Sequence, residues 1–194
     1  MDIIEKNKTR MTHFSESSAE LSKQIEALDW NELTSALNEC IFQKEKASLP
    51  ADYGPASYFP LAPESAEQKT LYDKAFKHGE VLIRNGRAAA FTVAGGQGTR
   101  LGYDGPKGTL PVSPIKKKPL FQLFAEQILG ISKQYEVTIP WYIMCSPLNL
   151  EATTNHFEEN NYYGLGKENL KFFAQGVMPA TDFQGNLLRA SQDS

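Results

Sequence analysis

The 194-residue sequence has only two cysteines, Cys40 and Cys145, and no large excess of charge of either sign. Two cysteines are too few for a disulfide framework or a zinc site. Cys145 lies in an apolar run, so we expect it to be a small buried hydrophobic residue. Twenty Lys and Arg against 23 Asp and Glu give a net charge of −3. This balance lacks the basic footprint of a general nucleic-acid-binding protein.

Long hydrophobic stretches are also missing. No apolar run approaches the roughly 18 residues that are needed to span a bilayer. The first ten residues, MDIIEKNKTR, are polar and lack the apolar stretch of a secretory signal. We therefore expect a cytoplasmic protein without a membrane partner, and the sequence does not indicate its oligomeric state. Hydrophobic residues still make up 41% of the chain, which is enough for a globular core.

The first quarter of the chain has apolar residues at helical spacing, which predict one or two amphipathic helices packed on a main domain. These residues are Leu21, Ile25, Leu28, Leu33, Leu37 and Ile41. Four prolines in 49–63 predict an extended connector, because proline fixes φ and removes a backbone donor. We therefore divide the chain into an N-terminal helical extension with its connector, 1–63, and a main domain, 64–194. A partner-binding role for the helices would rest on amphipathicity alone.

From residue 64 onward the apolar pattern alternates between helical and strand-like segments. Helices are predicted over about 64–84, 119–134 and 148–160, and buried strands over 88–94, 139–145 and 170–175. Such an alternation builds a parallel sheet with helices on its faces. The predicted class of the main domain is therefore α/β.

The segment VAGGQGTRLGYDGPKG, 93–108, begins where the first predicted strand ends. Ligands of open α/β sheets bind beyond the carboxyl ends of the strands. Gly95, Gly96 and Gly98 lack a Cβ, so the chain can turn sharply there and bring its amides close to a ligand. Successive inward-facing N–H groups form a concavity that favours anions. The segment is therefore predicted to be an anion-binding loop.

Two cations in this loop favour phosphate as the anion. Arg100 offers a planar guanidinium and Lys107 a compact ammonium, although each taken singly would more often be a surface charge. Two familiar phosphate-binding schemes do not fit. A dinucleotide fingerprint needs a third glycine where Leu101 stands, and a P-loop lysine follows glycine, whereas Lys107 follows Pro106.

The combination of AGGQGTRLG with PKG resembles the signature of the UDP-sugar pyrophosphorylases, with the nearest similarity to the UDP-N-acetylhexosamine branch. The similarity extends over about residues 80–190. It includes PLFQLFAEQIL at 119–129, WYIMCS at 141–146, NHFEENNYYGL at 155–165 and FFAQGVMPA at 172–180. The resemblance implies a GT-A-like, Rossmann-like nucleotide-diphospho-sugar transferase fold, here an incomplete parallel sheet with flanking helices.

The resemblance implies a uridylyltransferase. In this family a sugar 1-phosphate, here most similar to N-acetylglucosamine 1-phosphate, attacks the α-phosphorus of UTP and pyrophosphate leaves. Magnesium (Mg²⁺) would bridge the phosphates. Use of glucose 1-phosphate, a broader sugar range, or a non-catalytic nucleotide-binding role remain the alternatives.

The resemblance also carries UTP-binding roles to particular positions. The stretch whose backbone contacts uridine and ribose in the family corresponds to Val93, Ala94, Gly95 and Gly96, and the UTP-binding positions also include Gly98 and Thr99. Gln175 matches a glutamine implicated in uracil recognition. An amide suits a uracil edge because it offers both a donor and an acceptor.

Catalytic roles fall by resemblance on the two cations. Arg100 matches the arginine that faces the triphosphate and the departing pyrophosphate, and Lys107 matches the lysine that contacts the phosphates during transfer. The family's metal-binding aspartate has no counterpart that we identify here, and family members are much longer. The sequence therefore resembles an N-terminal portion, and we expect the 194-residue chain by itself to release no pyrophosphate from UTP.

Overall fold

The computed structural model describes residues 2–15, 18–43 and 50–189. Two compact units are present. The first comprises residues 1–56 and 177–194, and the second comprises residues 57–176. This division differs from the one predicted from the sequence, because the C-terminal segment packs with the N-terminal helices.

Within 2–15 and 18–43 the first unit forms three α-helices, one more than the sequence predicts. They are α1 (Ile3–Ser15), α2 (Ala19–Glu26) and α3 (Trp30–Leu37), with α3 continuing into a π-helical turn. The side chains of Ser18 and Asp29 cap α2 and α3 by accepting backbone N–H bonds. The prediction missed α1 because only Ile4 and Met11 on this helix are buried apolar residues.

Asn7 on α1 fixes the C-terminal segment to the first unit. Its side chain is fully buried. The Nδ2 donates to the carbonyl of Gly185 at 2.8 Å, and the Oδ1 accepts from the N–H of Leu187 at 2.9 Å. Leu187 in turn lies in the apolar cluster of the helices. These bonds join residues almost 180 positions apart, a pairing that no local sequence pattern indicates.

The second unit alternates helices and strands as the sequence predicts. Its elements are α4 (Ala66–Arg84), β1 (Ala90–Val93), α5 (Leu120–Tyr135), β2 (Trp141–Cys145), α6 (Leu150–Glu159) and β3 (Leu170–Ala174). The strands form one parallel sheet in the order β1-β2-β3, which confirms the α/β class. Among the described residues, no helix combines the length and apolarity required to cross a membrane.

One face of the sheet carries the core. Trp141, Ile143 and Cys145 point alternately from β2 into a cluster that includes Phe121 of α5 and Phe157 of α6. Cys145 is fully buried, which confirms its prediction as a small core residue. Because α5 and α6 both pack on this face, they fix the positions of the strand ends along the strand direction.

The opposite face of the sheet is exposed. Phe91 and Val93 of β1 are 59% and 65% exposed, and Tyr142 and Phe173 on the other two strands are 41% and 40% exposed. Parallel sheets are normally covered on both faces. An apolar sheet face open to solvent agrees with the incomplete sheet that the sequence predicts.

Gly108 packs directly against the ring of Phe121. A Cβ at this position would lie 2.1 Å from the Phe121 Cζ, and Phe121 is only 1% exposed. We expect Gly108→Ala to lower the free energy of unfolding by about 1–3 kcal/mol, since the buried ring has no room to move. Gly79→Ala, in α4 with no atom within 4 Å of its Cβ position, should instead raise it by up to about 1 kcal/mol. Urea denaturation measures both; equal effects would contradict the packing argument.

His156 is half-buried and its Nε2 lies 2.5 Å from the hydroxyl of Tyr163. Burial lowers the pKa of His156, an effect that the nearby Glu159 carboxylate partly opposes. Burial also raises the pKa of Tyr163 to about 12. The folded state therefore favours the neutral imidazole, whereas the unfolded chain protonates it more readily.

Acidification should consequently destabilise the fold through His156. Because the unfolded state binds more protons, this contribution to stability is present above the unfolded pKa of about 6.5 and is lost as the pH falls below it. The urea midpoint should fall between about pH 7.5 and about pH 5.5, above the range in which ordinary carboxylates titrate. His156→Gln should flatten the fall, and His78→Gln, which removes an exposed imidazole, should leave it unchanged. Identical profiles for all three proteins would refute the assignment.

Candidate functional site

The loop 93–108 leaves the carboxyl end of β1 and folds back on itself. The N–H of Gly98 donates to the carbonyl of Gly105 at 2.9 Å, and the N–H of Lys107 donates to the carbonyl of Gly96 at 3.0 Å. These bonds form a short antiparallel bridge within the loop. The fold therefore returns Lys107 to the start of the glycine-rich turn.

The Lys107 side chain lies over Gly96. Its Nζ is 3.8 Å from the position that a Cβ on Gly96 would occupy. Neither a hydrogen bond nor an ion pair joins this ammonium to any described residue. An exposed cation thus stands directly beside the loop backbone.

At the start of the loop, the N–H groups of three consecutive residues, Gly95, Gly96 and Gln97, have no hydrogen-bond acceptor among the described residues. Unpaired N–H groups in series are the feature that lets a loop hold an anion. Together with the Lys107 ammonium, they make the start of the loop electropositive although the chain as a whole is acidic.

Gln175 follows β3, the edge strand opposite β1, and its side chain reaches the start of the loop. Its N–H donates to the carbonyl of Cys145 at 2.7 Å, which extends the β2–β3 ladder by one bond. Its Oε1 lies 3.1 Å from the Cβ position of Gly95. The side-chain amide therefore occupies the space that any larger residue at position 95 would need.

The glycines act through close approach and not through unusual backbone angles. We predict a sharp glycine-dependent turn from the sequence, but neither Gly95, Gly96 nor Gly98 has a positive φ. A Cβ on Gly98 would lie 2.8 Å from the Cδ1 of Tyr103, and the Tyr103 hydroxyl is held 2.8 Å from the Oγ1 of Thr109. At Gly95 and Gly98 the reason for glycine is thus the space beside neighbouring side chains, whereas at Gly96 a Cβ would make only ordinary contact with Lys107.

The remaining predicted residues lie on the loop but make fewer contacts. Thr99 and Arg100 belong to one 3₁₀ turn, both are exposed, and no hydrogen bond or ion pair connects Arg100 to the described residues. The Val93 side chain points to the exposed sheet face. Ala94 donates its N–H to the carbonyl of Met144 at 2.7 Å. The structure therefore brings Gly95, Gly96, Lys107 and Gln175 together, and it does not show Arg100 in contact with them.

Sequence reasoning missed two polar residues beside the loop. Asn149 is fully buried and donates from Nδ2 to the carbonyl of Ala94 at 3.0 Å. Ser146 is buried, and its Oγ has no hydrogen-bond partner in the described part of the chain. The one sequence signal was the position of Asn149 at the start of the predicted helix 148–160, which suggests a helix cap and not a contact with the loop.

Magnesium does not fit the described residues as a protein-held ion. No group of three His, Cys, Asp or Glu side chains among them could hold a metal. Asp104 is an exposed carboxylate on the loop, but a single carboxylate does not make a site.

The comparisons with known proteins agree with one another. The family profile described as UTP–glucose-1-phosphate uridylyltransferase matches residues 22–194. The UDP-N-acetylglucosamine pyrophosphorylase of Saccharomyces cerevisiae is 41% identical over 134 residues, which are 68% of this chain and 27% of the yeast protein. UDP-N-acetylglucosamine diphosphorylase 1 of Arabidopsis thaliana is 35% identical over 136 residues, 64% of this chain and 27% of the plant protein.

A solved structure extends the similarity to the fold. The crystal structure of the uridine diphosphate N-acetylglucosamine pyrophosphorylase from Trypanosoma brucei in complex with an inhibitor superposes with a TM-score of 0.68 at 27% identity. The match covers 97% of this chain and 37% of that protein. The fold is thus that of the nucleotide-diphospho-sugar transferases, and the chain spans between about a quarter and two fifths of the length of these relatives.

Proposed function

The chain belongs to the UTP–glucose-1-phosphate uridylyltransferase family, and on this premise we propose that it serves the transfer of a uridylyl group from UTP to N-acetylglucosamine 1-phosphate. The proposal assigns the phosphates of UTP to the loop 93–108 and the uracil to Gln175. One observation carries it: at the carboxyl edge of the parallel sheet, the Lys107 ammonium lies beside Gly96 and the Gln175 amide beside Gly95, and the N–H groups of both glycines are unpaired.

Each of these groups suits one part of the nucleotide. The unpaired N–H groups of Gly95 and Gly96 can donate to the uridine and ribose without giving up a protein hydrogen bond. Lys107 offers the phosphate oxygens a charge-assisted hydrogen bond. The Gln175 amide can pair with a uracil edge, which also presents a donor and an acceptor. The site thus separates phosphate binding from base recognition.

The proposed reaction is one direct displacement. An oxygen of the sugar 1-phosphate forms a new bond to the α-phosphorus, and the bond from that phosphorus to the bridging oxygen of pyrophosphate breaks. Negative charge develops on the departing pyrophosphate, and the Lys107 ammonium and Arg100 guanidinium would stabilise it. Because nothing is transferred to the protein, the chain contributes position and charge and no nucleophile.

Similarity to relatives named for N-acetylglucosamine favours that sugar, whereas the family description names glucose 1-phosphate. The two possibilities differ only in the acceptor. An enzyme that carries this chain should release pyrophosphate faster with N-acetylglucosamine 1-phosphate than with glucose 1-phosphate. The reverse order would favour the alternative acceptor and leave the assignment of the UTP site unchanged.

Replacing Lys107 tests the phosphate assignment. Titration of the isotope-labelled 194-residue chain with UTP, followed by amide chemical shifts, should move the Gly95 and Gly96 signals. Lys107→Ala should weaken binding about tenfold or more, since a lost charge-assisted hydrogen bond costs roughly 1.5–3 kcal/mol. The matched control, Lys133→Ala, removes the same exposed charge near the end of α5 and should bind UTP normally.

The Arg100→Ala variant is tested by the same UTP titration. Loss of its guanidinium should weaken UTP binding and leave uridine binding unaffected, because Arg100 is assigned to the phosphates alone. Wild-type affinity in both the Lys107 and the Arg100 variant would remove the phosphate assignment. Absence of any UTP-dependent shift in the wild-type loop, both in this chain and in an enzyme that carries it, would overturn the proposed function itself.

Replacing Gln175 tests base recognition separately. Uracil and cytosine present reversed donor and acceptor patterns, so a fixed amide can favour one of them. We expect the wild-type chain to bind UTP more tightly than CTP and Gln175→Ala to lose most of that preference while retaining binding through the phosphates. Gln134→Ala, which removes an exposed amide from α5, serves as the control. An unchanged preference in Gln175→Ala would exclude this residue from uracil recognition.

A further inference from the structure

Asn149 joins the ends of two strands at the edge where the loop begins. Its Oδ1 accepts from the N–H of Ser146, the residue after β2, at 2.9 Å, and its Nδ2 donates to the carbonyl of Ala94, the residue after β1, at 3.0 Å. The side chain is fully buried. The Oδ1 and the Nδ2 of the amide thus each have a backbone partner, and neither needs a water molecule for this.

The amide takes the place of a backbone bond between the strands. The N–H groups of Ala90 and Ala94 donate to the carbonyls of Pro140 and Met144, which is the regular parallel ladder. Continuing that ladder would pair the N–H of Ser146 with the carbonyl of Ala94. Asn149 inserts its carboxamide between these two groups, so the strands are held apart at this point by a group of fixed size.

Asn149 does not serve the role that its position suggests. It is the residue before α6, where asparagine side chains usually accept an N–H bond from the first helical turn. No such bond is present. The side chain turns instead toward Ala94, and only a neutral planar group with one donor and one acceptor can make both bonds there.

The hydrogen bond from Asn149 to Ala94 also affects the first unpaired N–H of the loop, that of Gly95. In a trans peptide the carbonyl and the following N–H point in opposite directions, and the structure contains no cis peptide bond among its described residues. Asn149 holds the carbonyl of Ala94, so it also fixes the direction of the Gly95 N–H, which then points away from Asn149.

We infer that Asn149 is a positioning residue that aims the Gly95 N–H and sets the gap between β1 and β2 for the bound nucleotide. The inference rests on the proposed function, since it assigns Asn149 a role in UTP binding at the same loop. Asn149 itself touches the protein backbone and not the ligand.

Asn149→Leu tests the inference because it keeps the size of the side chain and removes both hydrogen bonds without adding charge. The matched control is Asn169→Leu. Asn169 also donates its Nδ2 to a backbone carbonyl, that of Leu165 at 2.8 Å, but it lies just before β3, at the amino edge of the sheet. Each substitution thus removes side-chain hydrogen bonds to backbone, two at the buried Asn149 and one at the half-buried Asn169, and only Asn149 touches the loop.

The readouts are UTP affinity, the amide shifts of Gly95 and Gly96 without nucleotide, and the urea midpoint. Asn149→Leu should weaken UTP binding about tenfold and shift both glycine amides. Asn169→Leu should lower the urea midpoint but leave UTP affinity and both glycine amides unchanged. If Asn149→Leu does not fold, the side-chain NH₂ signals of the wild-type protein decide. Those of Asn149 should move on UTP addition and those of Asn169 should not.

The outcomes separate the two claims. A wild-type loop that ignores UTP overturns the proposed function. A wild-type chain that binds UTP, with Asn149→Leu binding equally well or with the Asn149 NH₂ signals unmoved, overturns the positioning role and leaves the proposed function standing.

Discussion

Burial of one face of the sheet under α5 and α6 is the constraint on which the site depends. Trp141, Ile143 and Cys145 are at most 1% exposed, and their packing against Phe121 and Phe157 fixes β2 as the central strand. The residues that follow the three strands must then meet at one edge, since parallel strands share a direction. The loop after β1, the turn after β2 and Gln175 after β3 are neighbours for that reason.

Close approach of backbone to side chain is the second constraint at this edge. Gly95 leaves room for the Gln175 amide, Gly98 for Tyr103 and Gly108 for Phe121. None of these contacts requires a left-handed backbone, so a larger residue would be excluded by volume and not by its φ. The glycines therefore link the packing of the loop to the packing of the core. The Phe121 ring, which packs on β2, also limits the size of the residue at position 108.

The sequence predicts the parts of this arrangement that have a local signature. Apolar periodicity indicates α4 to α6 and the three strands, and the glycine-rich segment with Lys107 indicates an anion-binding loop. It does not indicate α1, whose buried apolar residues are sparse, or the C-terminal segment held by Asn7. It also does not indicate Asn149, whose partner Ala94 is 55 positions away. Bonds of this kind depend on the assembled fold, so no spacing rule reveals them.

The roles that we propose for the individual groups of the site follow from these packing constraints. Under the proposed function, the backbone N–H groups at the start of the loop meet the nucleotide, and strand ends, glycine packing and one buried amide fix where these groups lie. Base contact then falls on Gln175, carried by a different strand. Because backbone donors are common to every residue type, nucleotide binding at these groups would depend on the shape of the loop more than on the identity of its side chains. The charges of Lys107 and Arg100 would matter most where negative charge accumulates, on the departing pyrophosphate.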